Sequence, residues 1–178
     1  KVSEDDADAR HATGVTTILT APSFGIFNGQ SVMLNLGNGN AESNVIRNPA
    51  ALQIAFNPRP TWAYPDSLMG VIAFLRQNFL DAQQHAAAHD VYDRAPAGLR
   101  RPPDNPALEA LRPVLRRELP VVFIADSAQM MRRAQTLARE LNVRSVLSGA
   151  RQGYAMANDL KDVPVLVSVK WPAAPTDA

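Results

Sequence analysis

Short β-branched runs and stretches of helical spacing alternate through the last third of the chain. Val121–Ile124, Val143–Leu147 and Val163–Val169 are the apolar runs. Between the first two, Ala134, Leu137, Ala138 and Leu141 recur at the spacing that keeps one side of a helix apolar. From Leu119 to Pro172 this predicts strand–helix–strand–helix–strand, with parallel strands and helical crossovers. In such sheets the carboxyl ends of the strands form the working face.

The earlier part is less regular. Ser3 through Ala12 predicts a short helix, capped by Ser3 with acids in its first turn and ended at Gly14. Val15–Thr20 reads as a buried strand, and Ala21–Gln30, with Pro22, Gly25 and Gly29, as a loop. Ser31–Leu36 predicts a second strand closed by the turn-rich GNGN at 37–40, and Val45–Arg47 and Leu52–Phe56 two more short ones. Asn57–Pro65 holds three prolines and is expected to be irregular.

The longest helix is expected over Asp66–Tyr92, capped by Asp66 or Ser67. Leu68, Ile72, Leu75, Phe79, Ala82 and Ala86 form its stripe. Residues 93–106 form a Pro-rich internal linker, Asn105-Pro106 starts another helix, and Pro113 should kink or break it. Asp126, three residues before Gln129, has the spacing of a capping box for the helix that follows.

Composition then narrows the class. One α/β domain over residues 1–178 is expected from the length, and Lys+Arg 18 against Asp+Glu 17 gives no reason to invoke nucleic acid or an anionic membrane. Zero cysteines excludes disulfides, thiolate catalysis and Cys-based zinc sites. No stretch is long and apolar enough to cross a bilayer, and the acidic opening KVSEDDADAR does not read as a signal peptide.

Candidate chemistry is sparse. His85 and His89, four apart on the long helix with Asp81 a turn earlier, have a chelating spacing, but they lie off the apolar stripe and read as a solvated helix face. Asp126 follows a strand, so it is either the helix cap or a pocket carboxylate. Lys170 also lies just past a strand end, where it could hold a carboxylate. With Thr20, Asn35 and Ser148 these residues mark the expected pocket face. The glycines of Pro22–Gln30 lack phosphate-loop spacing and join two strands rather than a strand to a helix.

The blocks GVTTILTAPSFGIFNGQSVMLNL (14–36), RNPAALQIAF (47–56) and YPDSLMGVIAFLRQNFLDAQ (64–83), with the whole tail, resemble one bacterial branch of the amidohydrolase superfamily. Its members include imidazolonepropionase and metal-dependent dipeptidases. The resemblance implies a partial (β/α)8 TIM-barrel-like fold and hydrolysis of C–N bonds in a small-molecule substrate with one or two divalent metals. Its ligands are a His-x-His pair on the first barrel strand, a carboxylated Lys or acid on the fourth, single histidines on the fifth and sixth, and an Asp on the eighth.

This chain departs from that pattern. Phe123-Ile124-Ala125-Asp126 resembles the end of the fifth strand, where the family reads His-Ala-Asp, so Ile124 stands at the ligand position. Ser148 or Gly149 stands where the sixth-strand His is expected. The resemblance therefore implies the central portion of a longer barrel with no metal, cofactor or catalytic residue of its own. A zinc-like ion would belong to the intact parent, and a non-catalytic binding or scaffold relative is the alternative. A partial barrel should self-associate or take a companion chain that completes it, and the family's frequent export leans towards the periplasm.

Overall fold

The computed structural model describes residues 4–37, 42–58, 60 and 62–167. Its elements are α1 (Glu4–Ala12), β1 (Thr17–Thr20), β2 (Phe27–Asn35), β3 (Val45–Ala55), α2 (Leu68–Arg94), α3 (Pro106–Glu109), α4 (Arg112–Leu115), β4 (Val121–Ala125), α5 (Ala128–Glu140), β5 (Ser145–Gly149), a 3-10 helix (Gly153–Leu160) and β6 (Val165–Val167). The expected Ser3 cap and the end of the last apolar run, Ser168–Val169, lie outside the described residues.

Six strands form one sheet in sequence order. β4, β5 and β6 pair in parallel, as the tail's alternation predicts, and β3 joins them parallel to β4. β1, β2 and β3 pair antiparallel instead. The reason is the length of their connections: a parallel return needs a crossover of about a dozen residues, and the segments before β2 and β3 are too short for one.

Three local expectations change. The strand expected from Ser31 starts at Phe27, because the glycine-rich segment forms a β-bulge between Phe27 and Gly29, the latter at φ 107. The two candidates around Pro49 merge into the 11-residue β3. Pro49 has no N–H to donate, and it is accommodated where the β2–β3 register is irregular, between the Ser31↔Ala51 and Met33↔Arg47 pairs. The buried strand expected over Val15–Thr20 is an exposed edge strand, flanked by β2 alone, with Leu19 at 41% exposure.

The core lies on one side of the parallel sheet. Ile54, Phe123 and Leu147 point into it from β3, β4 and β5. Val71, Leu75, Phe79 and Ala82 fill it from α2, a face turned slightly from the expected stripe, with Leu68 and Ile72 at its margin. Met131, Ala134, Leu137 and Ala138 fill it from α5. Phe56 stacks on Phe123 at 5.8 Å between ring centroids. Ser67 caps α2 by accepting from Gly70 N, and Asn105 caps α3 by accepting from Ala107 N and Leu108 N. Pro113 falls in the first turn of α4, so the expected break separates α3 from α4.

Arg76 on α2 and Glu140 on α5 clasp the two helices with a two-pronged pair, Nε–Oε1 2.6 Å and Nη2–Oε2 2.8 Å. The hydrogen bond from Arg76 lowers the Glu140 pKa. A lowered carboxylate pKa contributes stability above the unfolded value, and that contribution fades as pH falls through the folded one. Both side chains are nearly half exposed, so solvent screens the pair. Glu140→Gln should therefore cost at most about 0.5 kcal/mol at pH 7. Denaturant titrations from pH 7 into acid should show that difference shrinking as pH falls below the ordinary carboxylate range.

Candidate functional site

The carboxyl ends of β3–β6 are set in one row by the register Ala55↔Ile124, Ile124↔Ser148 and Ser148↔Leu166. Cα partners in a parallel pair point to the same side of the sheet. The row before it, Ile54, Phe123 and Leu147, enters the helix-side core, so this row faces the other way. Ile124 is 39% exposed and Leu166 46%. Ile124, expected at the fifth-strand ligand position, and Ser148, one of the two residues with Gly149 expected at the sixth, are thus direct neighbours on the face away from the helices.

Asp126 stands two residues beyond this row, just past the end of β4. It does not cap α5: Ser127 does, its Oγ accepting from Met130 N at 3.2 Å. Ser127 has the extended backbone an N-cap needs, and Asp126 is one position too early for its side chain to reach those amides. The Asp126 carboxylate is therefore free for other partners, and Arg151 Nη2 donates to its Oδ2 at 3.1 Å.

The two loops on this edge are laced together. Gln152 N donates to Asp126 O at 2.9 Å, Ala150 N to Ala125 O at 3.0 Å, and Ala128 N to Gln152 Oε1 at 3.1 Å. Gly149 and Ala150 have φ 97 and φ 47, successive left-handed residues at the end of β5. A Cβ on Gly149 would lie 2.5 Å from Asp126 Oδ1. Glycine there lets the carboxylate lean over the end of the neighbouring strand. Sequence reasoning missed Arg151 and the Gly149-Ala150 turn, although Ser-Gly-Ala at the end of a strand is a legible turn signal.

The other expected pocket residues scatter. Thr20 pairs with Val32, on a level below Leu52, where β3 first meets β4. Asn35 pairs with Thr17 at the far tip of the antiparallel arm. Because β2 runs against its neighbours, its carboxyl end points away from the working edge. Of the five, Asp126 and Ser148 come together, Thr20 and Asn35 lie elsewhere, and Lys170 lies outside the described residues.

His85 and His89 do not form a solvated face. Their rings lie 4.3 Å apart, and the His85 side chain is only 9% exposed, with Nδ1 3.7 Å from Glu109 Oε2 of α3. Arg112 holds Glu109 and Asp90, while Gln77 donates to Asp81. The segment that carries α3 and α4 folds back over the helix flank, which sequence spacing cannot reveal. Among the described residues no group of three or more His, Asp or Glu side chains is arranged to hold a metal ion. No described helix is long and apolar enough to cross a membrane.

No family model and no curated protein matches this sequence. Among solved structures, an amidohydrolase from Thermotoga maritima MSB8 superimposes with a TM-score of 0.80 at 22% identity, covering 93% of this chain. The chain spans 45% of the length of that structure. At this identity the likeness is one of fold: a six-stranded, mostly parallel half-barrel with its helices, shared with an amidohydrolase.

Proposed function

We propose that the chain is the central part of an amidohydrolase-type barrel, in a protein that hydrolyses amide-type C–N bonds of a small-molecule substrate. In this reading the residues described here supply a substrate-facing wall and none of the metal ligands. The observation that supports it is the Ala55–Ile124–Ser148–Leu166 row at the carboxyl edge. A divalent ion of this class needs imidazole or carboxylate donors. Ile124 has no donor atom, Ser148 offers a neutral hydroxyl, and the histidines of the chain lie on α1 and α2. The residues present do not fit such an ion, and a zinc-like metal would take its ligands from other segments. What the wall offers is apolar contact from Ile124 and Leu166, a hydrogen-bond acceptor in Asp126, and a guanidinium in Arg151 for a substrate carboxylate.

The chain, saturated with zinc and then dialysed, should retain sub-stoichiometric metal and should not hydrolyse N-acyl amino acids or dipeptides. One tightly held zinc per chain, with turnover, would sink the reading. The lack of an imidazole or carboxylate at both Ile124 and Ser148 also favours a second reading, a non-catalytic relative that keeps the pocket for binding. Assay of the whole protein separates the two. Hydrolysis stopped by a chelator supports the first, and amide binding without turnover supports the second.

The same row carries a proposal about assembly. Ile124 and Leu166 are large apolar side chains left open on a sheet face that a closed barrel would cover. In the 178-residue chain by itself we place a second copy on that face, so light scattering at micromolar concentration should report a dimer or larger species. A clean monomer with a full melting transition counts against it.

A further inference from the structure

We propose that a cleft between α5 and the 3-10 helix binds a phosphorylated small molecule, a phosphomonoester of sugar or nucleotide size. The cleft has a volume of about 760 Å³, and its lining includes Arg117, Arg132 and Arg139 with Asp159 as its one acid. It opens beside Val143 and Val163, which precede β5 and β6, and so lies at the opposite end of the sheet from Asp126 and Ser148. The proposal is therefore independent of the function read from the carboxyl edge.

The space exists because the crossover from β5 to β6 is a short 3-10 helix rather than a full α-helix. It is tied to α5 by a hydrogen bond in which Gln135 Nε2 donates to Asp159 O at 3.2 Å. Two of the arginines are placed by neutral groups, which leaves their charge uncompensated. Arg117 Nη1 donates to Asn142 Oδ1 at 2.6 Å and to its carbonyl at 3.3 Å. Arg139 donates to Gln135 O at 3.3 Å and to Thr136 Oγ1 at 3.5 Å. Arg132 meets Asp159 only at 3.7 Å, with both side chains more than half exposed, a pair that solvent screens heavily. Three guanidiniums against one carboxylate leave the lining with two positive charges in excess.

Arg117 adds a further sign. It sits at φ 61 just past α4, a helix-end position where glycine is the relaxed choice and other residues are strained. An arginine stands there nonetheless, with its guanidinium bonded across to Asn142.

The ligand class follows from shape and charge. Guanidinium forks donate pairs of hydrogen bonds to tetrahedral oxyanions, and a phosphomonoester dianion accepts from several forks at once. The volume falls within the roughly 300–1,000 Å³ of small-molecule sites and far exceeds the needs of a bare ion. Val143 and Val163 offer apolar contact to the uncharged part of the ligand.

Calorimetric titration of the chain at fixed ionic strength tests this with AMP, inorganic phosphate, adenosine and succinate. AMP should bind at least about tenfold tighter than each of the other three, the worth of one charge-assisted contact. Arg132→Gln and Arg139→Gln should each weaken AMP about tenfold. Arg117→Gly keeps the left-handed backbone and should weaken it comparably. Arg116→Gln, an exposed neighbour outside the lining, should leave it unchanged, and superimposable thermal melts establish that the variants fold. Three results overturn the proposal: no AMP binding at millimolar concentration, equal loss in the Arg116→Gln chain, or succinate matching AMP.

Discussion

Phe123→Ala is expected to lower the unfolding free energy by about 3–5 kcal/mol, among the largest losses one side chain can cause in this fold. Phe123 is at the middle of β4, fully buried, with Phe56 stacked on one side and the α2–α5 layer beneath. β4 is also the strand to which both β3 and β5 pair in parallel, so the void opens where sheet and helices meet. For a chain of this length the melting temperature should fall on the order of 10 °C. Tyr154→Ala is the matched control, since its ring is 83% exposed and its loss should stay within about 0.5 kcal/mol. Melts of both variants by circular dichroism check the pair. A small shift for Phe123→Ala would mean that this strand is not the centre of the core.

The parts of the fold legible in the sequence are those where one local signal decides. The Val121–Ile124 run and the interruption at Pro113 are each set by a few consecutive residues, whereas the start of α2 is narrowed only to Asp66 or Ser67 until the backbone angle selects Ser67. The antiparallel arm was hidden because strand direction depends on connection length and pairing, and apolar alternation reads the same in both directions. That is why Asn35 was expected at the working edge and lies at the arm's far tip. Asp126 shows the complementary failure. Capping needs a backbone angle as well as a side chain, and Asp126 and Ser127 are equally plausible caps until that angle is known. His85 was misplaced for a third reason. Its burial comes from a segment more than twenty residues away, beyond the reach of any helical-wheel argument. In contrast, the resemblance leaves Ser148 and Gly149 as alternatives beside Ile124, and the β4–β5 register sets Ser148 at its side and Gly149 opposite Ala125.

That register has a direct consequence for engineering. Ile124→His combined with Ser148→His should create a zinc site that neither single variant has. Adjacent parallel strands are about 4.8 Å apart, so two imidazoles on partnered positions of one face can reach a common ion. Ile124 is already 39% exposed and lies outside the helix-side core, so a polar ring in its place strands no buried group. Two histidines and solvent make a weak site, and the double variant should bind zinc at least about tenfold tighter than either single variant. Because His85 and His89 are already a turn apart on α2, the titration belongs in a His89→Ala background. Binding should also strengthen as pH rises through the imidazole range, since only the neutral ring ligates. Equal affinity for the double and single variants would show that the two side chains do not share a face, and the substrate-facing wall proposed for this edge would go with it.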